Sequence, residues 1–228
     1  MTKRRAGSVR SKTRNTSKTA PFALDPYFAC LIFAGVGLAT LGLRTSPRLI
    51  ILWATLLGLW LAFRERQEIR LHYRFPDIGR GLGVGLAVGV PLLLLAFRPL
   101  ATAIPILYVD IDNSSGTGPV GSMLFVSLVL LAPLSEELFF RDMLQRERGY
   151  WIATALYAAA SVIFFLPTAG QFLAVLVAVS GASAMLGALY GYMHERIGFA
   201  AAMACHLAVN LMLIFMPSIL SHLELLTS

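Results

Sequence analysis

The chain has 228 residues, of which 57% are hydrophobic and only 14% charged, and its mean hydropathy is +0.72. A charged fraction so far below the roughly 25% of soluble domains, with apolar residues in long blocks, excludes an ordinary soluble domain and indicates an all-α, polytopic membrane helix bundle. The net charge of +7 does not indicate nucleic-acid binding, because the basic residues cluster between apolar blocks and no basic face is interleaved with exposed aromatics.

Residues 1–24 form a basic tail in which Lys3, Arg4, Arg5, Arg10, Lys12, Arg14 and Lys18 occur without an acid among them. Such a segment cannot bury a core; it is expected to be disordered and to hold the N-terminus at the anionic cytoplasmic surface of the bilayer. The apolar run 27–43 is longer than the hydrophobic region of a signal peptide and lacks a clear cleavage site, so it predicts an uncleaved first span. Further spans are predicted at 49–63, at 81–97, from about 120 through Pro133, and at 150–166, 172–192 and 198–216, about seven in all. Between them lie a charged loop at 64–80 and a polar external loop at 98–119 that contains Asp110 and Asp112. The expected organisation is a tail (1–24), three N-terminal transmembrane helices with the external loop (25–119), a four-helix core (120–217) and a C-terminal tail (218–228).

Gly81, Gly85 and Gly89 form one small-residue ridge, and Gly187 and Gly191 a second, which predicts close helix packing. Pro133 lacks a backbone donor and is expected to kink or break the fourth helix just before Glu136. Of the 19 Lys and Arg residues, all but Arg44, Arg48 and Arg98 fall in segments on the predicted inner side. That bias predicts an integral protein of a bacterial inner (plasma) membrane, N-terminus cytoplasmic and C-terminus outside. Cys30 and Cys205 lie within apolar segments and offer neither a disulfide framework nor a metal-binding spacing.

The chemistry concentrates in two places. Glu136, Glu137 and Arg141 sit at the end of a long apolar run. An ionisable group at the bilayer centre costs about 2.5–3.5 kcal/mol on insertion scales, so three together indicate function. Glu137 and Arg141 are four apart with the acid first, the favourable order for an ion pair on one helix face. Glu136 points about 100° away and is left free to act as a general base or acid. In the last predicted span His206 and Asn210, also four apart, share a face and can donate hydrogen bonds to a developing oxyanion.

This pattern resembles the CAAX-protease and bacteriocin-processing (CPBP, Abi) family of glutamic-type intramembrane proteases. The family's EExxxR motif is matched by Glu136, Glu137 and Arg141, and its HxxxN motif by His206 and Asn210, over roughly residues 120–216. The resemblance implies an intramembrane endopeptidase, with a membrane-bound protein or peptide as substrate and the lipid bilayer as its setting, and with no cofactor or metal. Glu136 would activate the attacking water, Glu137 and Arg141 would orient the site, and His206 with Asn210 would stabilise the oxyanion.

The middle FxxxH motif departs from the family. Phe164 is in register, but Thr168 stands where the family has histidine. Threonine can contact a water or substrate but cannot take up a proton near neutral pH, and a lost general base is worth about 10²–10⁴ in rate. A non-catalytic relative acting as a membrane-binding, immunity or scaffold protein is therefore the alternative. Straight helices would also leave Glu136 and Thr168 offset by about 10 Å in depth, so one helix is expected to break, at Pro133 or Pro167, to tilt strongly or to start inside the membrane. His72 and His194 fall in predicted loops and match no motif.

Overall fold

The structure, a computed structural model, describes residues 25–63, 75–108, 127–169, 173–217 and 219–220. The basic tail, residues 64–74 with His72, residues 109–126 with Asp110 and Asp112, and the end of the C-terminal tail lie outside the described residues.

Among the described residues, the chain forms seven helical rods and no strand. Helix α1 (Pro26–Ala39) starts where Asp25 accepts a 2.9 Å hydrogen bond from the Tyr27 amide and Pro26 presets the first turn. That amide, helped by Arg148, whose Nη2 lies 2.7 Å from Asp25 Oδ1, holds the Asp25 carboxyl below its usual range. Helix α2 is Thr45–Phe63. It begins four residues before the expected start at 49, and its 19 residues reach about 28 Å.

Helix α3 (Phe75–Tyr108) corrects both predicted loops: residues 75–80 and 98–108 are helical. Its backbone departs from helical angles at Ala96 (φ −113°, ψ 18°). Pro99 accounts for the bend, because its ring lacks the N–H that the Leu95 carbonyl would accept and crowds that carbonyl. The rod resumes beyond the bend.

Helix α4 covers residues 127–148 as successive π (Ser127–Leu131), α (Ala132–Glu136), π (Glu137–Gln145) and α (Arg146–Arg148) segments. Pro133 does not break it. The proline falls just after a π segment, where the ordinary hydrogen-bond ladder is already interrupted, and the junction residues Leu131 and Glu137 keep right-handed helical angles. Gly149, at φ 88°, then reverses the chain into α5 (Tyr150–Ala169), and Gly198, at φ 129°, turns α6 (Leu173–Arg196) into α7 (Phe199–Asn210, continued as a π segment Leu211–Phe215). His194 therefore belongs to the last turn of a helix rather than to a loop.

Four rods are long and apolar enough to cross a membrane: Thr45–Phe63, Phe75–Ile104, Tyr150–Pro167 and Leu173–Arg196; Pro26–Ala39 and Phe199–Phe215 are shorter apolar helices. Helices α3 and α7 form the most extensive pair. The Gly81, Gly85 and Gly89 ridge lies on α7: a methyl group on Gly81 would run into the Ala201 carbonyl, and one on Gly85 would come within 2.6 Å of the Cys205 oxygen. The second ridge admits side chains of α4 and α5 against α6, since a Cβ on Gly187 would lie 2.7 Å from Tyr157 and 3.1 Å from Arg141.

Helix α5 continues through Pro167 to Ala169. Proline at 167 leaves the Ile163 carbonyl without its donor. Arg48 supplies one. Expected in an external loop, it is instead only 2% exposed, and its guanidinium donates to the carbonyl oxygens of Ile163 (2.6 Å), Phe164 (2.5 Å) and Gly37 (3.2 Å). The arginine thus ties α1, α2 and the proline turn of α5 together.

Two outcomes are expected from thermal unfolding in micelles. Gly81→Ala should lower the midpoint, by about 1–3 kcal/mol of stability, while Gly83→Ala, whose Cβ position is open, should leave it unchanged or raise it. Arg48→Met should cost about 1–3 kcal/mol for each buried carbonyl it leaves unpaired, and more than Arg44→Met at the exposed loop.

Candidate active site

The α segment Ala132–Glu136 and the π segment that follows it bring the two acids of α4 into the middle of the bundle. Glu136 is 9% exposed, and Glu137 and Arg141 are fully buried. Their surroundings differ. Glu136 Oε1 accepts from the indole N–H of Trp53 on α2 at 2.9 Å, and Oε2 accepts from the Tyr157 hydroxyl on α5 at 2.8 Å. Glu137 Oε1 lies 2.9 Å from His206 Nδ1 on α7, and Glu137 Oε2 lies 3.9 Å from Arg141 Nε.

The ion pair expected from the Glu137/Arg141 spacing is therefore present but long. Both residues lie in a π segment, whose wider turn no longer stacks positions four apart as an α-helix does. The Arg141 nitrogens meet no hydrogen-bond acceptor among the described residues; the guanidinium lies over the Tyr157 ring, 4.9 Å from its centroid. The cation thus faces both the acid beside it and the aromatic ring whose hydroxyl holds Glu136.

His206 stands between the carboxylates. With Nδ1 on Glu137, its Nε2 faces Glu136 Oε2 at 3.7 Å. That gap is beyond a direct hydrogen bond. The ring stacks on Tyr190 of α6 at 4.2 Å and 14°, which fixes its plane. Asn210, one turn on, donates to the Leu128 carbonyl in the first π segment of α4 at 3.2 Å, so its amide nitrogen fastens α7 to α4.

These groups line a cavity of about 200 Å³, which Glu136, Tyr157, His206 and Asn210 border together with Ser161 and Ser183. Its remaining wall is almost wholly apolar and comes from α2 to α7. Phe164 is on this wall, packed against Trp53 with centroids 5.9 Å apart. Thr168 belongs to the last turn of α5. About 16 Å of helix rise separates it from Tyr157, the residue of α5 that contacts Glu136. The expected offset in depth is thus present, and neither proline removes it.

Sequence reasoning missed Trp53, Tyr157 and Tyr190. Each is an aromatic residue within an apolar helix, and no local motif distinguishes it from packing; only the meeting of α2, α5 and α6 around α4 reveals its polar atom or ring face. No group of three or more His, Cys, Asp or Glu side chains that could hold a metal is present among the described residues.

Comparison with protein families finds one match: residues 119–212 fit a family described as type II CAAX prenyl endopeptidase Rce1-like. No curated protein and no solved structure matches the chain. The matched segment contains both acids of α4, Arg141, His206 and Asn210, and the apolar helices make this an integral membrane protein. Through residues 119–212, the chain is similar to the CAAX-protease family.

Proposed function

We propose that the protein is an intramembrane endopeptidase in which Glu136 activates water against a peptide bond of a membrane-anchored protein or peptide. The observation that carries this reading is the position of Glu136 on the wall of the cavity, with one oxygen held by Trp53, the other by Tyr157, and His206 Nε2 3.7 Å away. A carboxylate fixed in this way has lone pairs left to accept a proton from a water in the cavity. The water oxygen bonds to the carbonyl carbon while its proton passes to Glu136. The tetrahedral intermediate then collapses, the C–N bond breaks, and Glu136 returns the proton to the leaving amine.

Glu137 orients rather than reacts. Its bond to Nδ1 fixes the imidazole so that Nε2 points at the reaction centre, the role that a buried carboxylate plays behind a catalytic histidine elsewhere. With Nδ1–H given to Glu137, Nε2 donates to an oxyanion when the ring is an imidazolium, while the single proton of the Tyr157 hydroxyl is given to Glu136. Arg141 balances the two acids. Asn210 acts through backbone placement, by holding the start of α4 against α7. Tyr157 supplies the partner of Glu136 from α5. The setting is the plasma membrane, with the N-terminal tail in the cytoplasm and the cavity water reaching the bond away from lipid.

The non-catalytic alternative draws support from Thr168. The glycine ridge of α3 does not support it, because α7 already covers Gly81, Gly85 and Gly89.

Purified protein is expected to cleave membrane-anchored peptide libraries, with Glu136→Gln losing about 10²–10⁴ in rate. Equal cleavage by wild type and Glu136→Gln would sink the proposal. Tyr157→Phe, which deletes one charge-assisted hydrogen bond, should lower kcat by about one to two orders of magnitude with a smaller change in KM. Thr168→His should leave the rate unchanged, because an imidazole there starts about 16 Å of helix rise from Tyr157; a gain in rate would show that α5 sits deeper against Glu136.

A further inference from the structure

Access to the two ends of the bundle is unequal. The cavity runs from Glu136 toward one end only: its wall includes Tyr108 in the last turn of α3, Leu128 near the start of α4, Phe165 late in α5, Val179 early in α6 and Ile214 late in α7. On the other side of Glu136 the bundle is solid. Phe140, Leu144, Met193, Ala201 and Ala202 fill it, none more than 2% exposed. Two hydrogen bonds strap the helices there, from Gln145 Nε2 to the Gly191 carbonyl (3.1 Å) and from the Tyr150 hydroxyl to the Ala188 carbonyl (2.8 Å).

Charge labels the ends. Arg48 and Arg141 are buried, so they no longer count toward either side. Of the remaining Lys and Arg residues, 15 belong to segments joined to the solid end, namely the N-terminal tail, residues 64–80, Arg146, Arg148 and Arg196. Only Arg44 and Arg98 belong to the cavity end. Short basic loops stay in the cytoplasm, so the solid end is cytoplasmic and the cavity end is not.

We infer that the site takes its substrate from the extracytoplasmic half of the membrane: the peptide bond presented to Glu136 belongs to an outer-leaflet or extracytoplasmic segment of a membrane-anchored protein, with apolar residues beside it to match the wall. The substrate class rests on the endopeptidase reading; the direction of access does not. Water follows the same route, since the described residues on the cytoplasmic side of Glu136 are close-packed.

Site-directed thiol labelling of the full-length protein separates the two. Ser183→Cys and Ala103→Cys place thiols in the part of the bundle that forms the cavity, and Glu195→Cys, exposed at the end of α6, marks the solid end. Each is treated with a membrane-impermeant, negatively charged methanethiosulfonate in right-side-out and in inverted membrane vesicles. The wild type, with buried Cys205 and partly buried Cys30, serves as the blank. Glu195→Cys is expected to react only in inverted vesicles, and the two cavity variants only in right-side-out vesicles. Reaction of the cavity thiols from the same side as Glu195→Cys, or from neither side, overturns the inference, as does reaction of Glu195→Cys in right-side-out vesicles. The labelling needs no turnover. Repeated in a Glu136→Gln background, it reports access even if cleavage is never observed, so failure of the activity assay and failure of the access inference are read independently.

Discussion

Two adjacent carboxylates in the interior of a membrane bundle must each find donors, and they cannot share one set. Consecutive helical side chains diverge by about 100°, so the neighbours of Glu136 and those of Glu137 have to come from different helices. Glu136 turns toward Trp53 and Tyr157, and Glu137 toward His206 and Arg141. Helices α2, α5 and α7 are thereby fixed around α4. Helix α6 closes the circle, with Tyr190 stacked on His206 and Gly187 leaving room for Tyr157 and Arg141. The arrangement of the bundle around its centre follows from satisfying three of the four oxygen atoms; the fourth, Glu137 Oε2, faces Arg141 at 3.9 Å.

Backbone groups impose the second demand. Within a bilayer each carbonyl and amide needs a partner from the protein, and two irregularities of these helices occur beside a side chain that supplies one. The Pro167 turn is served by Arg48, which adds a buried cation at the far end of α5 from the carboxylates. The first π segment of α4 is served by Asn210 through the Leu128 carbonyl. The second π segment contains Glu137 and Arg141, where the wider turn loosens their pairing to 3.9 Å and leaves an oxygen of Glu137 for His206. A strict α-helix through 137–145 would have drawn the arginine closer to its acid.

Much of the membrane architecture was legible because apolar run length and glycine spacing are local. The seven rods, the α3 ridge and the α6 ridge all follow from such patterns. Helix ends were less legible: α3 runs through charged residues at its start and past Arg98, because a helix whose last turns pack on neighbours tolerates polar residues on its free face. In the site, acids and an imidazole within apolar runs announce themselves, whereas Trp53 and Tyr157 read as two more aromatics. Arg48 was misread for the opposite reason. A cation at the end of an apolar run resembles a loop residue, and its acceptors at Ile163 and Phe164 are distant in sequence.

The tyrosine also changes what the threonine at 168 means. A motif position has chemical content only if its side chain can reach the reacting atoms, and reach along a helix is set by rise. Tyr157 lies about 16 Å before Thr168 along α5, and helical side chains tilt toward the N-terminus, so Tyr157 and residue 168 cannot address Glu136 from the same level. Once Tyr157 donates to Oε2, that oxygen has its partner on α5 without residue 168. The remaining proton-accepting group facing Glu136 is His206, already oriented by Glu137. Substitution of the middle motif is therefore compatible with a working carboxylate, provided that the phenol–carboxylate bond and the imidazole on α7 divide between them the work that a histidine on α5 would have shared.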